Sequence, residues 1–178
     1  MNKAPLSREI RVLSPADVNQ FLPLRLRALK EEPESFGMSY QEAIKTPPEQ
    51  AAQRLQTNDD SFVLGALCPH LVGMVGYFRE TGLKRRHKGT IWGMYVVPEA
   101  RGLGLAKALM EAAIERARTI SDLEQLQISV VTTNEIARKL YRSLGFVSYG
   151  IELGALKIAD KYLDEDLMFL NLKTSNDQ

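Results

Sequence analysis

Residues 90–106 read TIWGMYVVPEARGLGLA, and the fold turns on how this stretch is parsed. Thr90 to Val97 is rich in β-branched and aromatic residues and predicts a strand. Pro98 ends the pairing, because proline has no N–H for a ladder bond. From Leu103 to Ile120, Ala106, Leu109, Met110, Ala113, Ile114 and Ala117 recur at helical steps. Lys107, Glu111, Glu115 and Arg118 fall on the other side, so the segment predicts an amphipathic helix. Between strand and helix lies Arg101-Gly102-Leu103-Gly104-Leu105-Ala106. Free backbone N–H groups and the positive end of the helix dipole point into such a turn. Gly102 and Gly104 let a phosphate approach the backbone closely, and Arg101 adds a cation. The turn is a candidate pyrophosphate cradle, with a plain tight strand-to-helix turn as the alternative.

Outward from this stretch the chain alternates strands and helices. Leu126, Ile128 and Val130 alternate with polar neighbours and predict a strand after the helix. The crossover makes strands 90–97 and 124–131 parallel. Asn134 then caps a short helix carrying Ala137, Leu140, Tyr141 and Leu144, which Gly145 ends. Strands follow at Phe146 to Leu153 and Asp166 to Leu172. Upstream, Glu9 to Leu13 predicts a strand, and Ser14-Pro15 opens a helix with the stripe Val18, Leu22, Leu26 and Leu29. Pro23 predicts a bend or restart in that helix. Lys30 to Lys45 reads as a loop with some helical content. Thr46-Pro47-Pro48-Glu49 reads as a capping box opening a helix to Thr57. Ser61 to Leu67 and Leu71 to Glu80 form a hairpin through Cys68-Pro69-His70. In strand 90–97, Trp92 and Tyr95 alternate with Ile91 and Met94, as in a sheet buried on both faces.

The chain has 178 residues and a net charge of +1, enough for one core and too little charge to imply nucleic-acid or membrane binding. It reads as a single domain over residues 1–173 with a disordered tail at 174–178. Cys68, the one cysteine, excludes an internal disulfide. Neither a signal-peptide core nor a membrane-length apolar run is present, and the expected location is cytoplasmic. His70 and His87 lack further ligands at metal spacing, so no metal is expected. Lys84 to Lys88 is basic without interleaved aromatics and reads as a solvated loop.

Two familiar phosphate motifs fail. Gly104 is followed by Leu-Ala-Lys-Ala, which is no Walker loop, and Lys107 stands where a dinucleotide fingerprint needs its third glycine. Glu124 opens the next strand instead of ending it, the wrong place for a ribose-binding acid. The turn instead resembles the acetyl-CoA signature of the GNAT (GCN5-related) N-acetyltransferases, Arg/Gln-x-x-Gly-x-Gly/Ala after a strand ending in Val-x-Pro. Arg101, Gly104 and Ala106 occupy its defined positions. Asn134 to Phe146, NEIARKLYRSLGF, is similar to the family's N-x-x-A-x-x-L-Y-x-x-x-G-F segment. Together the two motifs cover roughly residues 90–147.

The resemblance implies an α+β fold: a mixed, mostly antiparallel sheet of six to seven strands, two splayed central parallel strands and about four helices. It implies an N-acetyltransferase that moves the acetyl group of acetyl-CoA, a co-substrate, to a primary amine through a ternary complex. Backbone atoms of Met94, Tyr95 and Val96 would meet the pantetheine arm. The Arg101, Gly102, Leu103, Gly104, Leu105, Ala106 turn would hold the pyrophosphate, and Asn134 the arm from the other wall. Tyr141 would protonate the leaving thiolate; spacing alone favours reading it as a core-facing helix residue, and the resemblance reverses that. Some relatives carry a glutamate as base where this chain has Ser129, which leaves Glu80, Glu152 or a water chain. The acceptor would lie among residues 25–40, 73–79 and 149–162, where Glu31, Glu32 and Glu34 could meet a cationic amine. Dimers are common among similar proteins. The competing readings are a non-catalytic acyl-CoA-binding module and a dinucleotide-binding oxidoreductase.

Overall fold

The computed structural model describes residues 8–173; the tail expected at 174–178 lies outside the described residues. Seven strands form one sheet: β1 (Glu9–Val12), β2 (Ser61–Leu67), β3 (Leu71–Arg79), β4 (Lys88–Val96), β5 (Gln125–Val131), β6 (Val147–Ile158) and β7 (Lys161–Asn171). Their order across the sheet is β1-β2-β3-β4-β5-β7-β6. Every neighbouring pair is antiparallel except β4 and β5, which run parallel as the crossover rule requires. The helices are α1 (Val18–Glu31), α2 (Tyr40–Ala43), α3 (Pro48–Gln53), α4 (Leu105–Arg118) and α5 (Glu135–Ser143). No helix among the described residues is long and apolar enough to cross a membrane.

Helices cover both faces. On one side α4 packs Leu109 into the space over Gly73 and sets Arg116 5.0 Å from the Phe62 ring centroid. Phe62 in turn stacks on Tyr77 at 4.7 Å. On the other side α1 lays Arg25 5.0 Å from the Trp92 ring, and Trp92 fills the space that a side chain at Gly76 would need. A methyl there would come within 2.1 Å of the indole, so Gly76 is fixed by the close approach of β3 to that ring.

Several expectations are corrected. The buried stripe of α1 is Phe21, Leu24, Arg25, Ala28 and Leu29, one notch round from the one expected. Pro23 neither ends nor restarts α1, because that stripe holds both halves of the helix on the sheet. Thr46 caps nothing: Pro48 forces Pro47 into extended backbone, so Pro47 becomes the N-cap and α3 stops at Gln53. The capping box forms earlier, where Ser39 and Glu42 exchange bonds at the start of α2. Helix α4 begins at Leu105 instead of Leu103, because Gly104 sits at the N-cap in left-handed backbone, φ +77°. The last two strands are longer than expected. A bulge with Gly154 at φ +61° interrupts the period of β6 yet stays in the hairpin, its N–H donating to Asp164 at 2.8 Å.

Strand β4 breaks the simple alternation too. Against β3, Met74 faces Tyr95 and Gly76 faces Trp92, so β4 carries one residue more over this interval. Gly93 absorbs it at φ +67°. Trp92 and Tyr95 therefore turn to the same side, where Arg25 and Glu31 of α1 meet them.

Candidate acyl-CoA cleft

The parallel ladder between β4 and β5 is short. It joins Lys88 to Gln125, Gly89 to Leu126 and Thr90 to Gln127, and then stops. Past Thr90 the strands diverge, and a cleft of about 1020 Å³ opens between Ile91–Val96 and Ile128–Val131. The start of α4 closes one end; Asn134, Ala137, Leu140 and Tyr141 of α5 and its cap form a wall. The segment from Glu31 to Phe36 lies across the mouth.

Nearly all the sequence-predicted site residues meet here. Met94, Tyr95, Val96, Arg101, Gly102, Gly104, Leu105, Ala106, Asn134 and Tyr141 line the cleft. Leu103 is not among the lining residues and is 40% exposed. Gly102 and Gly104 take φ +76° and +77°, with open space where a Cβ would stand. The first internal bond of α4 runs from Ala108 N–H to the Gly104 carbonyl, and no side chain caps the helix. Its first amides are thus free to bind an anion.

Arg101 is already engaged. It donates to the Val96 carbonyl at 3.0 Å and to the Glu32 carboxylate at 2.8 Å, and it lies 5.9 Å from the Tyr95 ring. The Tyr95 hydroxyl donates to Glu31 at 2.6 Å. That bond holds the Glu31 carboxyl below its usual range, with Arg27 adding to the effect, and burial raises the Tyr95 phenol. Glu34 pairs with Lys161 at 2.8 Å. All three acids expected to meet a cationic amine therefore have partners within the chain.

Tyr141 is 5% exposed, on a helix that packs Arg138 against Asp166 at 3.0 Å. Burial pushes its phenol well above the ordinary value, so it stays protonated at neutral pH. Asn134 caps α5, its side-chain oxygen accepting from Ala137 N–H at 3.1 Å, which leaves its NH₂ group to donate elsewhere. Tyr141 thus packs in the core while also lining the cleft.

The two glutamates considered as bases are not at the cleft. Glu80 accepts from Arg85 at 2.6 Å and from Thr90 at 3.3 Å. Glu152 is exposed on β6, one strand beyond β7. Ser129 does line the cleft. Among the described residues no cluster of three or more His, Cys, Asp or Glu side chains could hold a metal.

Known proteins share this architecture. An acetyltransferase of the GNAT family from Streptococcus pneumoniae superposes with a TM-score of 0.85 and 26% identity, covering 93% of this chain and 99% of that one. A putative acetyltransferase from Salmonella typhimurium, solved with its cofactor acetyl-CoA, has the same fold, with a TM-score of 0.81 and 18% identity over 95% and 96% of the two chains. A spermidine N(1)-acetyltransferase from Vibrio cholerae is 27% identical over 109 residues, a match spanning 61% of either chain. A model of the acetyltransferase (GNAT) family matches residues 26–146, from the middle of α1 to the end of the α5 motif. The splayed strands, the bare helix start and this match agree: the chain belongs to the GNAT acetyltransferase family.

Proposed function

We propose that the protein transfers the acetyl group of acetyl-CoA to a primary amine by direct attack within a ternary complex. The observation that carries this is Tyr141, a protonated phenol facing the cleft across from β4. The residues present suit the co-substrate. The amides of Gly102 to Ala106 and the Arg101 guanidinium receive a pyrophosphate, while the unpaired edge of β4 past Thr90 offers N–H and C=O groups to an amide-bearing arm. A β4 amide can also meet the oxyanion that forms on attack. The departing thiolate has a conjugate thiol pKa of about 8.5, so a phenol beside the sulfur can complete its release.

Similarity to a spermidine acetyltransferase supports testing polyamines among the acceptors. The internal pairing of Glu31, Glu32 and Glu34 gives no particular support to a polycation, and amino acids and peptide N-termini stand beside it. The test is a thiol-release assay with acetyl-CoA and a panel of polyamines, amino acids and peptides, with products identified by mass. Acetyl transfer to at least one amine supports the reading. Tight acetyl-CoA binding with no transfer to any of them counts against it and favours a non-catalytic acyl-CoA-binding module.

A further inference from the structure

We propose that a small cavity between α1, α2 and α3, lined by Arg25 and Arg54, binds a monatomic anion of the chloride class. The cavity shares no lining residue with the acyl-CoA cleft, and the proposal does not depend on acetyl transfer.

Arg25 is the side chain that calls for an anion. An arginine keeps its charge inside a protein, and a buried charge is tolerated when a countercharge or a full set of acceptors surrounds it. Arg25 is 8% exposed, because it belongs to the stripe that seats α1 on the sheet. The ion pairs among the described residues include neither Arg25 nor Arg54. The Nε and Nη1 atoms of Arg25 have no hydrogen-bond partner. Its Nη2 reaches the sulfur of Met38 at 3.8 Å, and a thioether is a weak acceptor. Trp92 lies 5.0 Å away and meets the positive charge with its ring face. A ring face does not replace acceptors for the in-plane N–H groups.

Arg54, at the C-cap of α3, brings a second guanidinium to the same cavity. Burial pushes the pKa of Arg25 down to about 10, and the charge of Arg54 pushes it the same way. Arg25 is still a cation at neutral pH, so two like charges converge on one space. A water molecule could accept from them but would leave both charges uncompensated. An anion accepts and compensates together. The lining suits that role. Met38 lies beside the arginines, Thr46 adds a hydroxyl, Phe21 and Ala51 supply apolar wall, and no carboxylate is present. The volume is about 10 Å³, room for one body of about the size of water. A halide belongs to that class; phosphate and sulfate are too large. Arg54 is half-buried, which gives the ion a route from solvent. Once bound, it ties α1 to the end of α3 directly behind Trp92, a residue of the cleft wall.

The experiment uses the full chain in sodium chloride and in sodium gluconate, whose anion is too large to enter, at equal ionic strength. The wild type should melt about 2–6 °C higher in chloride, with Tm rising with the logarithm of chloride concentration. Arg25→Met removes the charge and nearly keeps the volume, a replacement that folded proteins often accept. Its Tm should be equal in the two salts. Arg54→Gln should need about tenfold more chloride for the same shift. Crystals grown in sodium bromide should show an anomalous scattering peak between the two guanidinium groups. If Arg25→Met does not fold, the Arg54→Gln titration and the bromide peak decide the question. A wild-type Tm equal in the two salts overturns the site, and so does a chloride response unchanged in Arg25→Met or Arg54→Gln. Density in the cavity without the bromide signal overturns it too and assigns the position to water.

Discussion

Arg101 donates to Glu32 at 2.8 Å at the cleft, so the cation proposed to meet a pyrophosphate is already held by a carboxylate of the chain. Both side chains are substantially exposed, at 48% and 41%. Such a pair is worth about 0–1 kcal/mol, so an incoming polyanion displaces Glu32 at small cost. Glu32→Gln should tighten acetyl-CoA binding by up to about fivefold. Arg101→Gln should weaken it about tenfold, as expected for losing a hydrogen bond to a charged group. Calorimetry at one fixed ionic strength checks both. Unchanged affinity in both variants would place the pyrophosphate elsewhere.

Tyr141→Phe removes a hydroxyl and little else. Turnover should fall about 100- to 10,000-fold, while the dissociation constant for acetyl-CoA stays within about twofold. The raised pKa gives the sign of the alkaline behaviour. The donor is present below that pKa, so the wild type should lose this contribution only above about pH 10, the ordinary phenol value. Equal losses in turnover and in affinity would mean that the hydroxyl binds without donating.

Gly104 and Gly37 both have open space where a Cβ would stand, but only Gly104 has left-handed backbone. Gly104→Ala should cost about 1–2 kcal/mol, the penalty for an L-residue in that conformation. For a chain of this size that lowers Tm by about 2–8 °C. Gly37→Ala should leave Tm unchanged. Paired thermal melts decide this, and equal shifts in the two variants would refute the conformational account.

Asp166 is fully buried beneath α5, where it accepts from Arg138 at 3.0 Å, lies 3.6 Å from Arg142 and accepts from Ser148. Asp166→Asn keeps the shape and removes the charge, leaving two guanidinium groups facing a neutral amide. The cost should be about 2–4 kcal/mol, below that of breaking a fully enclosed pair because Arg142 is half-exposed. A denaturant midpoint shift with unchanged slope checks it. Because Asp166 anchors the helix that carries Tyr141, turnover should fall in parallel.

What could be read from the chain alone follows from distance along it. The strand, turn and helix around Arg101 and the Asn134-to-Phe146 motif are local patterns, and their local chemistry survives folding. The parallel pairing of β4 with β5 was legible because one helix joins them. The one-residue bulge at Gly93 was not, because only pairing with β3 shows that β4 carries a residue too many. The capping box assigned to Thr46 shows the reverse error, a local pattern overruled by an adjacent proline.

The three-pair ladder between β4 and β5 has one more consequence. A sheet edge at the rim of a protein recruits other chains, because its amides and carbonyls lack partners. Here two such edges face each other inside the sheet, between the helices on its two faces. A polypeptide entering there would need room for side chains above and below its own plane. A thin tether of amides with no side chains would not. The fold thus sorts ligands by cross-section before any charge is read, admitting a strand-like molecule too slender to be protein.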